Sequence, residues 1–539
     1  MKKVTEKRKQ AYRLLASFLI LTLLLPPCLS GCTQQSDRVP DPPSAAVPSA
    51  EPMLIPKPVS CETTGEGFTL ADAAALYVEG NSGAETEELY SVAQYLASKL
   101  RPATGYPLEV LNSSAPQTGG IRLTTAGADP ALGTEGYRLK VTPDGVTLTA
   151  ATAEGLFRGV QTIRQMLPAA IEKGGPVTGV SWTMPCVDIT DYPAYPWRGM
   201  MLDVARHFIP VEDVKRVIDW VAYYKMNQFH LHLTDDQGWR IEIKSRPELT
   251  SIGAGTQVGG GAGGYYTQQE YAEIISYAKA RYITVIPEID MPGHSNAALA
   301  SYGELNPDGK KKEPYTGIDV GFSSLMCRSE ATYDFIEDVM GELAAITPGE
   351  YIHVGGDEAS STAAEDYRYF VSRVNQIVAG YGKKAIGWNP FDTAEGTTDE
   401  QVLQNWNGEL SAALGKGMKI IMSPPDKAYL DMKYDENTPI GLDWAGYSTT
   451  DDAYRWDPTY GTLKDSVIGI ECALWSETVK NIDDIEYLAF PRLPGHAEVG
   501  WTPQSLRSWD DYKRRLASHG ARMENQGIGF YKDPAVPWG

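Results

Sequence analysis

The 539-residue sequence has few positive charges, few cysteines and few long apolar runs, and each of these shortages argues against certain classes of function. Its 48 lysines and arginines stand against 69 acids, so the net charge is -21 and nucleic acid is not an expected partner. Beyond the first thirty residues no stretch approaches eighteen apolar residues, so no further membrane-spanning helix is expected. The six cysteines lack the spacing of a metal site, and no G-x-x-x-x-G-K-[ST] phosphate loop is present.

The first 31 residues have the pattern of a signal peptide. A basic start precedes an apolar run over 14–25, which is too short to span a bilayer. The segment closes with Leu29, Ser30, Gly31 and Cys32, which resembles the lipobox of bacterial lipoproteins. We therefore expect Cys32 to be lipidated and the protein to be exported and anchored to the outer face of a bacterial cell membrane.

Composition and hydrophobic periodicity divide the rest of the chain into a tether, two domains and a tail. Residues 32–52 are rich in proline, serine and alanine, as expected of a tether. Residues 53–190 mix helical spacing with alternation, and Asp144-Gly145 predicts a hairpin turn, so we predict a small α+β domain. A barrel is predicted over 193–520 and a C-terminal tail over 521–539. Four cysteines would remain in the mature chain, where core thiols are favoured over disulfides.

Eight extended apolar segments, several separated by helical patterns, follow residue 193. They are 199–204, 229–234, 282–288, 351–355, 385–387, 402–405, 419–423 and 467–472. Eight such units predict a (β/α)₈ barrel, and the alternative is an open doubly wound sheet.

Catalytic groups of such a barrel lie just beyond the carboxyl ends of its strands. The residues found there are Arg206, Asp235, Asp290, His294, Asp357, Glu358, Trp388, Trp406, Tyr429, Asp431, Trp475 and Glu477, with Trp444 nearby. Carboxylates, an arginine and aromatic walls suit a polyhydroxylated ligand and glycoside chemistry.

Asp357 and Glu358 are adjacent, which complicates that chemistry. Neighbours at the end of a strand point to opposite sides, so the two should not easily flank one bond as acid and nucleophile. The spacing alone leaves the nucleophile unassigned.

Four long motifs carry a family resemblance. They are 202–208 (LDVARHF), 229–240 (FHLHLTDDQGWR), 287–294 (PEIDMPGH) and 353–358 (HVGGDE). Together they resemble the family 20 glycoside hydrolases, the β-N-acetylhexosaminidases. The resemblance runs from about residue 53 to 515 and includes Glu154 to Gly159 of the small domain.

The resemblance implies an exo-acting, retaining enzyme that releases terminal N-acetylhexosamine from glycans without a metal or other cofactor. The substrate's own acetamido oxygen would attack the anomeric carbon and form an oxazoline-type intermediate. Glu358 would be the acid and then the base, Asp357 would orient the acetamido group, and Asp235 and His294 would be partners of the acid.

The resemblance also assigns the substrate-binding residues. Arg206 would grip the 3- and 4-hydroxyls and Tyr429 would donate to the acetamido oxygen. Asp431 and Glu477 would bind outer hydroxyls, Asp290 belongs to the same ring of strand ends, and Trp388, Trp406, Trp444 and Trp475 would form walls. Asn389 departs from the family, where many relatives carry an acid.

Alternatives remain open on the sequence alone. A metal-dependent hydrolase could use His230 and His232 with Asp235 and His294, but those two histidines lie inside a strand pattern. A non-catalytic glycan-binding lipoprotein would not need Asp357, Glu358 and Tyr429 together. Release of a disaccharide such as lacto-N-biose, and the choice between gluco and galacto sugars, also remain open.

Overall fold

The computed structural model describes residues 51–80, 82–113, 118–459 and 463–539. The predicted signal segment, Cys32 and nearly all of the tether lie outside the described residues. Within the described ranges no helix is both long enough and apolar enough to cross a bilayer. Cys61, Cys186, Cys327 and Cys472 are free thiols.

The small domain has one seven-stranded sheet with two helices against it. Its strands are β1 (Ser60–Thr69), β2 (Leu76–Glu79), β3 (Val110–Asn112), β4 (Ile121–Thr124), β5 (Tyr137–Thr142), β6 (Gly145–Ala150) and β7 (Thr183–Asp191). The order across the sheet is β1-β7-β5-β6-β4-β2-β3. The two helices are α1 (Gly83–Thr104) and α2 (Ala153–Met166). Ser82 and Thr152 cap these helices by accepting from the backbone N–H three residues on.

The hairpin predicted around Asp144-Gly145 is the pair β5 and β6. The two strands run antiparallel, and Thr142 is paired with Gly145 across the turn. Tyr137, Leu139 and Val141 are buried while the residues between them are exposed, which is the alternation that predicted the strand.

The predicted barrel is confirmed. Its strands are β8 (Trp197–Asp203), β9 (Gln228–His232), β10 (Thr284–Glu288), β11 (Tyr351–His353), β12 (Lys384–Trp388), β13 (Val402–Asn405), β14 (Lys419–Met422) and β15 (Val467–Leu474). All neighbouring strands are parallel, and β15 pairs with β8 to close the barrel. Closure excludes the open doubly wound sheet.

Helices surround the barrel. They are α3 (Val211–Tyr223), α4 (Gln268–Lys279), α5 (Asn296–Ser301), α6 (Glu330–Ile346), α7 (Ala364–Gly380), α8 (Ser411–Gly415), α9 (Pro425–Ala428), α10 (Ile482–Ala489), α11 (Arg492–Trp501) and α12 (Trp509–Asn525). The spacing of Thr267 and Glu270 in the sequence predicts a capping box, and this box opens α4, because each residue accepts from the other's backbone N–H.

The inside of the barrel has an apolar and a polar layer. The apolar layer contains Trp197, Ile286, Ile386, Val402 and Ile421. Nearer the carboxyl ends, His230, His232, His353, Glu288 and Glu471 are fully buried and pair with one another. Buried charges of this kind are tolerated only when they are paired.

Buried ion pairs join the small domain to the barrel. Glu135 accepts from Arg158 of α2, at 2.9 Å, and from Arg198 of β8. Lys225, at the end of α3, donates to Asp191 of β7 at 2.9 Å. The two domains therefore share a polar core as well as apolar contacts.

The C-terminal boundary differs from the prediction. The limit drawn at residue 520 falls inside α12, and His519 of this helix lies 2.9 Å from the Met53 carbonyl oxygen. Beyond the helix Val536 is only 3% exposed. Residues 521–539 thus pack on the molecule rather than forming a tail, because α12 carries buried residues as far as Met523.

Candidate active site

A cavity of about 210 Å³ opens at the carboxyl end of the barrel. Nine of the predicted site residues line it: Arg206, Asp357, Glu358, Trp406, Tyr429, Asp431, Trp444, Trp475 and Glu477. Ile318, Val320 and Leu442 complete the lining. The strand-end residues therefore meet at one mouth, as the barrel geometry requires.

The segment after β11 places the two adjacent carboxylates. Gly355 and Gly356 have φ of +65° and +106°, and Glu358 itself has φ of +43°. The left-handed region is easily reached by glycine but strained for glutamate, and such strain is concentrated at functional sites. A Cβ on Gly355 would lie 1.8 Å from an oxygen of Asp290, so only glycine fits there.

The expectation that Asp357 and Glu358 point to opposite sides is wrong. Alternation holds only within a strand, and β11 ends at His353, four residues before Asp357. Both carboxyl groups line the same cavity. Asp357 lies deeper, with a side chain 12% exposed, whereas the Glu358 side chain is 37% exposed at the mouth.

His294 lies behind the pair. Its Nε2 is 3.5 Å from Glu358 Oε2 and 3.8 Å from Asp357 Oδ2, and its Nδ1 is 3.2 Å from Asp235 Oδ1. Burial alone would lower the pKa of His294, but Asp235 and Asp290 outweigh burial and hold it well above its usual range. His294 and Asp235 do not line the cavity and act on it through Glu358 and Arg206.

Arg206 is held by two carboxylates. Its guanidinium contacts Asp203 at 3.2 Å and Asp235 at 2.7 Å, and it lies over the Trp475 ring at 5.0 Å from the centroid. Burial alone would raise the pKa of Asp235, but Arg206 and His294 hold it well below its usual range. Arg206 is thus a fixed donor at the wall of the cavity.

Asp431 and Glu477 form an acidic pair at the wall. Each has a buried carboxylate oxygen without a protein partner, Asp431 Oδ2 and Glu477 Oε2. Burial and the neighbouring Glu477 raise the pKa of Asp431 well above its usual range, and burial raises that of Glu477 against the opposing effect of Arg206. Unpartnered buried oxygens of this kind need a ligand donor such as a hydroxyl group.

Aromatic side chains form the remaining walls. Tyr429 and Trp475 are nearly buried, while Trp444 is 57% exposed at the mouth. The Tyr429 ring lies 6.0 Å from both the Trp444 and the Trp475 rings. Burial, helped by Asp357, raises the pKa of Tyr429 well above its usual range, so its hydroxyl remains a hydrogen-bond donor.

Two predicted binding residues do not line the cavity. Trp388 is fully buried, and its Nε1 donates to Glu288 at 2.9 Å. It packs beneath Tyr429 and Trp475 and supports them. Asp290 accepts from the Gly356 N–H at 3.0 Å and borders a separate enclosed cavity of about 10 Å³. It therefore shapes the loop that carries the carboxylates rather than facing a ligand.

Asn389, the departure from the family pattern, has a positioning role in the structure. Its Oδ1 accepts from Asn405 Nδ2 at 2.8 Å and from the Trp406 N–H at 3.3 Å, while its Nδ2 donates to the Glu409 carbonyl oxygen at 2.8 Å. An aspartate could not make the last bond, because it lacks the amide donor. Asn389 thus fixes the segment that carries Trp406.

The sequence reasoning missed Ile318 and Val320. Both belong to the long connection between α5 and α6, and they are 49% and 43% exposed at the mouth. Large apolar side chains exposed in a polar loop beside a strand end were the available signal. Ile318, Val320 and Phe322 alternate there at every second position.

The residues of the metal alternative are engaged with carboxylates. His230 lies between Glu288 at 2.9 Å and Glu471 at 2.7 Å, and His232 lies between Glu288 at 2.6 Å and Asp235 at 3.0 Å. Three-residue groups with ligand atoms within 4.8 Å exist among the described residues, but none contains both His230 and His232. Ion pairing accounts for these ring nitrogens.

Two family models together match nearly all of the described chain. "Glycosyl hydrolase family 20, catalytic domain" matches residues 195–504, and "Glycosyl hydrolase family 20, domain 2" matches residues 51–192. The division between the two models coincides with the division between the small sheet and the barrel.

Individual relatives agree with the family models. A β-N-acetylhexosaminidase of Cellulomonas fimi is 42% identical over 494 residues, covering 90% of this chain and 97% of the relative. The structure of the β-N-acetylhexosaminidase from Streptomyces coelicolor A3(2) superposes with a TM-score of 0.86 at 48% identity, covering 91% of this chain and 100% of that one. A mutant Streptomyces plicatus β-hexosaminidase in complex with its product GlcNAc superposes with a TM-score of 0.85 at 49% identity, covering 90% and 98%.

Proposed function

Because the chain belongs to glycosyl hydrolase family 20 and is a β-N-acetylhexosaminidase, we propose that it releases single terminal N-acetylhexosamine residues by substrate-assisted catalysis with retention. The observation that carries this proposal is the placement of Asp357 and Glu358 on one side of one small cavity. An ordinary retaining pair places acid and nucleophile about 5–5.5 Å apart, flanking the bond. Asp357 and Glu358 are instead consecutive residues that both face His294, and their carboxylate oxygens lie within 4.8 Å of each other.

The buried acidic pair Asp431 and Glu477 supports an internal nucleophile. Asp431 and Glu477 both have raised pKa values through burial, which makes them poor nucleophiles and good partners for hydroxyl groups. The acetamido oxygen of the substrate then attacks the anomeric carbon and gives the oxazoline-type intermediate. Asp357 orients the acetamido group and, once ionised, stabilises its positive charge, while Tyr429 donates to its oxygen.

Glu358 is the proton donor in this proposal. It is the more exposed of the pair and lies at the mouth, where a leaving group can depart. It protonates the glycosidic oxygen and then takes a proton from the water that opens the intermediate, so the β configuration is retained. His294 and Asp235 hold it in place.

The dimensions of the cavity favour a monosaccharide. Its volume of about 210 Å³ is below the range of roughly 300–1,000 Å³ for drug-sized ligands. Arg206, Asp431 and Glu477 are placed to bind the outer hydroxyls of a terminal sugar, with GlcNAc as the product named for a relative. These contacts support release of a single terminal sugar rather than of a disaccharide.

A panel of nitrophenyl β-glycosides of GlcNAc, GalNAc and lacto-N-biose tests the proposal. Wild type should release nitrophenol from the monosaccharides, with the β-anomer seen first by NMR. Glu358→Gln should lower kcat by about 10²–10⁴-fold and still bind GlcNAc. Glu365→Gln, an exposed carboxylate just beyond the same loop, should match wild type.

Each of three outcomes would refute it. An α-anomer as first product would exclude retention, and turnover only of the lacto-N-bioside would indicate a disaccharide-releasing enzyme. Binding of GlcNAc by wild type without release of nitrophenol would favour a non-catalytic binding lipoprotein.

We also propose that the enzyme is a lipoprotein anchored at Cys32 to the outer face of a bacterial cell membrane. The support is the basic start, the short apolar run and Leu29 to Cys32, followed by a proline-rich tether. The mass of the mature N-terminus tests this: a chain without lipid on Cys32, or one starting elsewhere, would refute it.

A further inference from the structure

A continuous series of carboxylates and imidazoles runs from the centre of the barrel to Glu358. Glu288 Oε2 lies 2.6 Å from His232 Nδ1, and His232 Nε2 lies 3.0 Å from Asp235 Oδ2. Asp235 Oδ1 continues to His294 Nδ1 at 3.2 Å, and His294 Nε2 faces Glu358 at 3.5 Å. The five residues come from the ends of three adjacent strands, β9, β10 and β11.

The geometry at His232 fixes its charge. Both ring nitrogens face carboxylate oxygens, and an ionised carboxylate only accepts hydrogen bonds. A neutral imidazole has one N–H, so it would leave a lone pair against one of the two carboxylates. The imidazolium, with two N–H groups, satisfies both contacts. Burial alone would lower the pKa of His232, but Glu288 and Asp235 raise it well above its usual range, in agreement with the geometry.

We propose that Glu288 and His232 are positioning residues for proton transfer, which keep Asp235 ionised and thereby fix the orientation of His294 beside Glu358. This inference rests on the proposed role of Glu358 and extends it to two residues that do not touch the cavity. Glu288 holds His232 as a cation, and His232 joins Arg206 in holding Asp235 as an anion. The Nδ1–H of His294 is then committed to Asp235, which leaves Nε2 for Glu358.

Other charged groups surround this series. Those facing His232, Asp235 and Glu288 from the packed elements are Asp203, Arg206, His230, Asp236, Asp290, His294, His353, Asp357 and Glu477. Because Arg206 and His294 also contact Asp235, His232 adds to the effect of these two cations on the Asp235 carboxylate.

The barrel offers a matched control in Glu471. Glu471 is as buried as Glu288 and also pairs with a histidine, His230, at 2.7 Å. It also accepts hydrogen bonds from the side chains of Trp197 and Gln404, each at 2.9 Å. Glu471 contacts neither His232 nor Asp235 and reaches Glu288 only through His230, so its removal disturbs the barrel interior but leaves each contact from Glu288 to Glu358 in place.

The experiment compares pH profiles of kcat and KM for Glu288→Gln and Glu471→Gln on the same aryl glycoside. In Glu288→Gln we expect His232 to titrate within the assay range, near the ordinary histidine pKa of about 6.5. The kcat profile should then gain an ionisation and fall at least about tenfold on its basic side, with little change in KM. Glu471→Gln should give a profile parallel to wild type.

A double variant tests whether the effect passes through Asp235. The double variant Glu288→Gln/Asp235→Asn should have a pH profile of the same shape as Asp235→Asn alone. The reason is that Glu288 acts by keeping Asp235 ionised, and Asp235→Asn has already removed that charge. If Glu288→Gln does not fold by circular dichroism, His232→Gln tests the same link and should lower kcat without a new ionisation.

Parallel profiles for Glu288→Gln and Glu471→Gln would overturn the inference, as would independent effects of Glu288→Gln and Asp235→Asn. A kcat equal to that of wild type in His232→Gln would also overturn the inference. Failure of the proposed function is distinguishable, because it shows in wild type as absent turnover or an inverted product.

Discussion

Tyr429 shows how one side chain of the site is prepared by its surroundings. Its ring is packed between Trp444 and Trp475, and its hydroxyl remains protonated because burial raises its pKa. A donor fixed in this way can hold the acetamido oxygen in position for attack on the anomeric carbon without reorganisation during the reaction.

Tyr429→Phe should therefore lower kcat by about 10²-fold, the size of effect expected when an attacking group is no longer held in position. The ring and its packing remain, so stability should change little. Tyr447→Phe is the control, because Tyr447 is 49% exposed in the same region and does not line the cavity. Steady-state kinetics on an aryl N-acetylglucosaminide measure both. Equal kcat for the two variants would remove Tyr429 from the proposed mechanism.

At the scale of the element, the segment after β11 decides the chemistry. An extended apolar segment predicted the strand itself, over 351–355, and the strand ends at His353. The positive φ at Gly355 and Gly356 could not be read from a strand pattern, because it depends on the contact with Asp290 from the neighbouring strand end. This contact directs the Asp357 and Glu358 carboxylates into the same cavity.

Gly355→Ala tests that account. The new Cβ would lie 1.8 Å from Asp290 Oδ1, so the segment has to move, and we expect a kcat loss of at least about tenfold and a stability loss of about 1–3 kcal/mol. Gly382→Ala is matched to it, with φ of +73° and no atom within 4 Å of the added Cβ. That variant should lose some stability through backbone strain and retain kcat. Kinetics together with urea unfolding separate the two effects, and a wild-type kcat for Gly355→Ala would contradict the account.

At the scale of the whole molecule, buried histidines make stability depend on pH. Burial, helped by Arg492, lowers the pKa of His496 to about 3, and burial with Arg522 lowers that of His519 to about 3. The unfolded chain has histidine pKa values of about 6.5. Between these values the unfolded state binds protons that the folded state does not, so stability falls as pH falls, by about 1.4 kcal/mol per pH unit for each histidine.

His519→Gln should remove one of these contributions. Glutamine keeps a donor for the Met53 carbonyl oxygen, so folding should be preserved. Urea unfolding at pH 8 and pH 5 measures the change, and the variant should lose about 2 kcal/mol less than wild type between the two. The carboxylates titrate in both proteins and cancel in the difference. An identical loss in variant and wild type would show that His519 is not protonated differently on unfolding.

Local sequence patterns were enough to predict the order of elements and the position of most site residues along the chain. Eight extended apolar segments predicted the eight strands, and the turn and capping signals at Asp144-Gly145 and Thr267 were correct because they act within a few residues. Since parallel strands in a closed barrel end at one face, residues far apart in sequence could be expected at one mouth.

Only the tertiary structure decided which of those residues face the cavity. Trp388 and Asp290 lie at strand ends like the others, yet neighbouring side chains bury them. Asp357 and Glu358 share a side because a glycine-rich segment follows a short strand, and α12 continues past residue 520 because residues as distant as Met53 and Gln165 pack against it. Local pattern specifies which element forms, but the direction of a side chain beyond a strand end depends on contacts with residues that are remote in the chain.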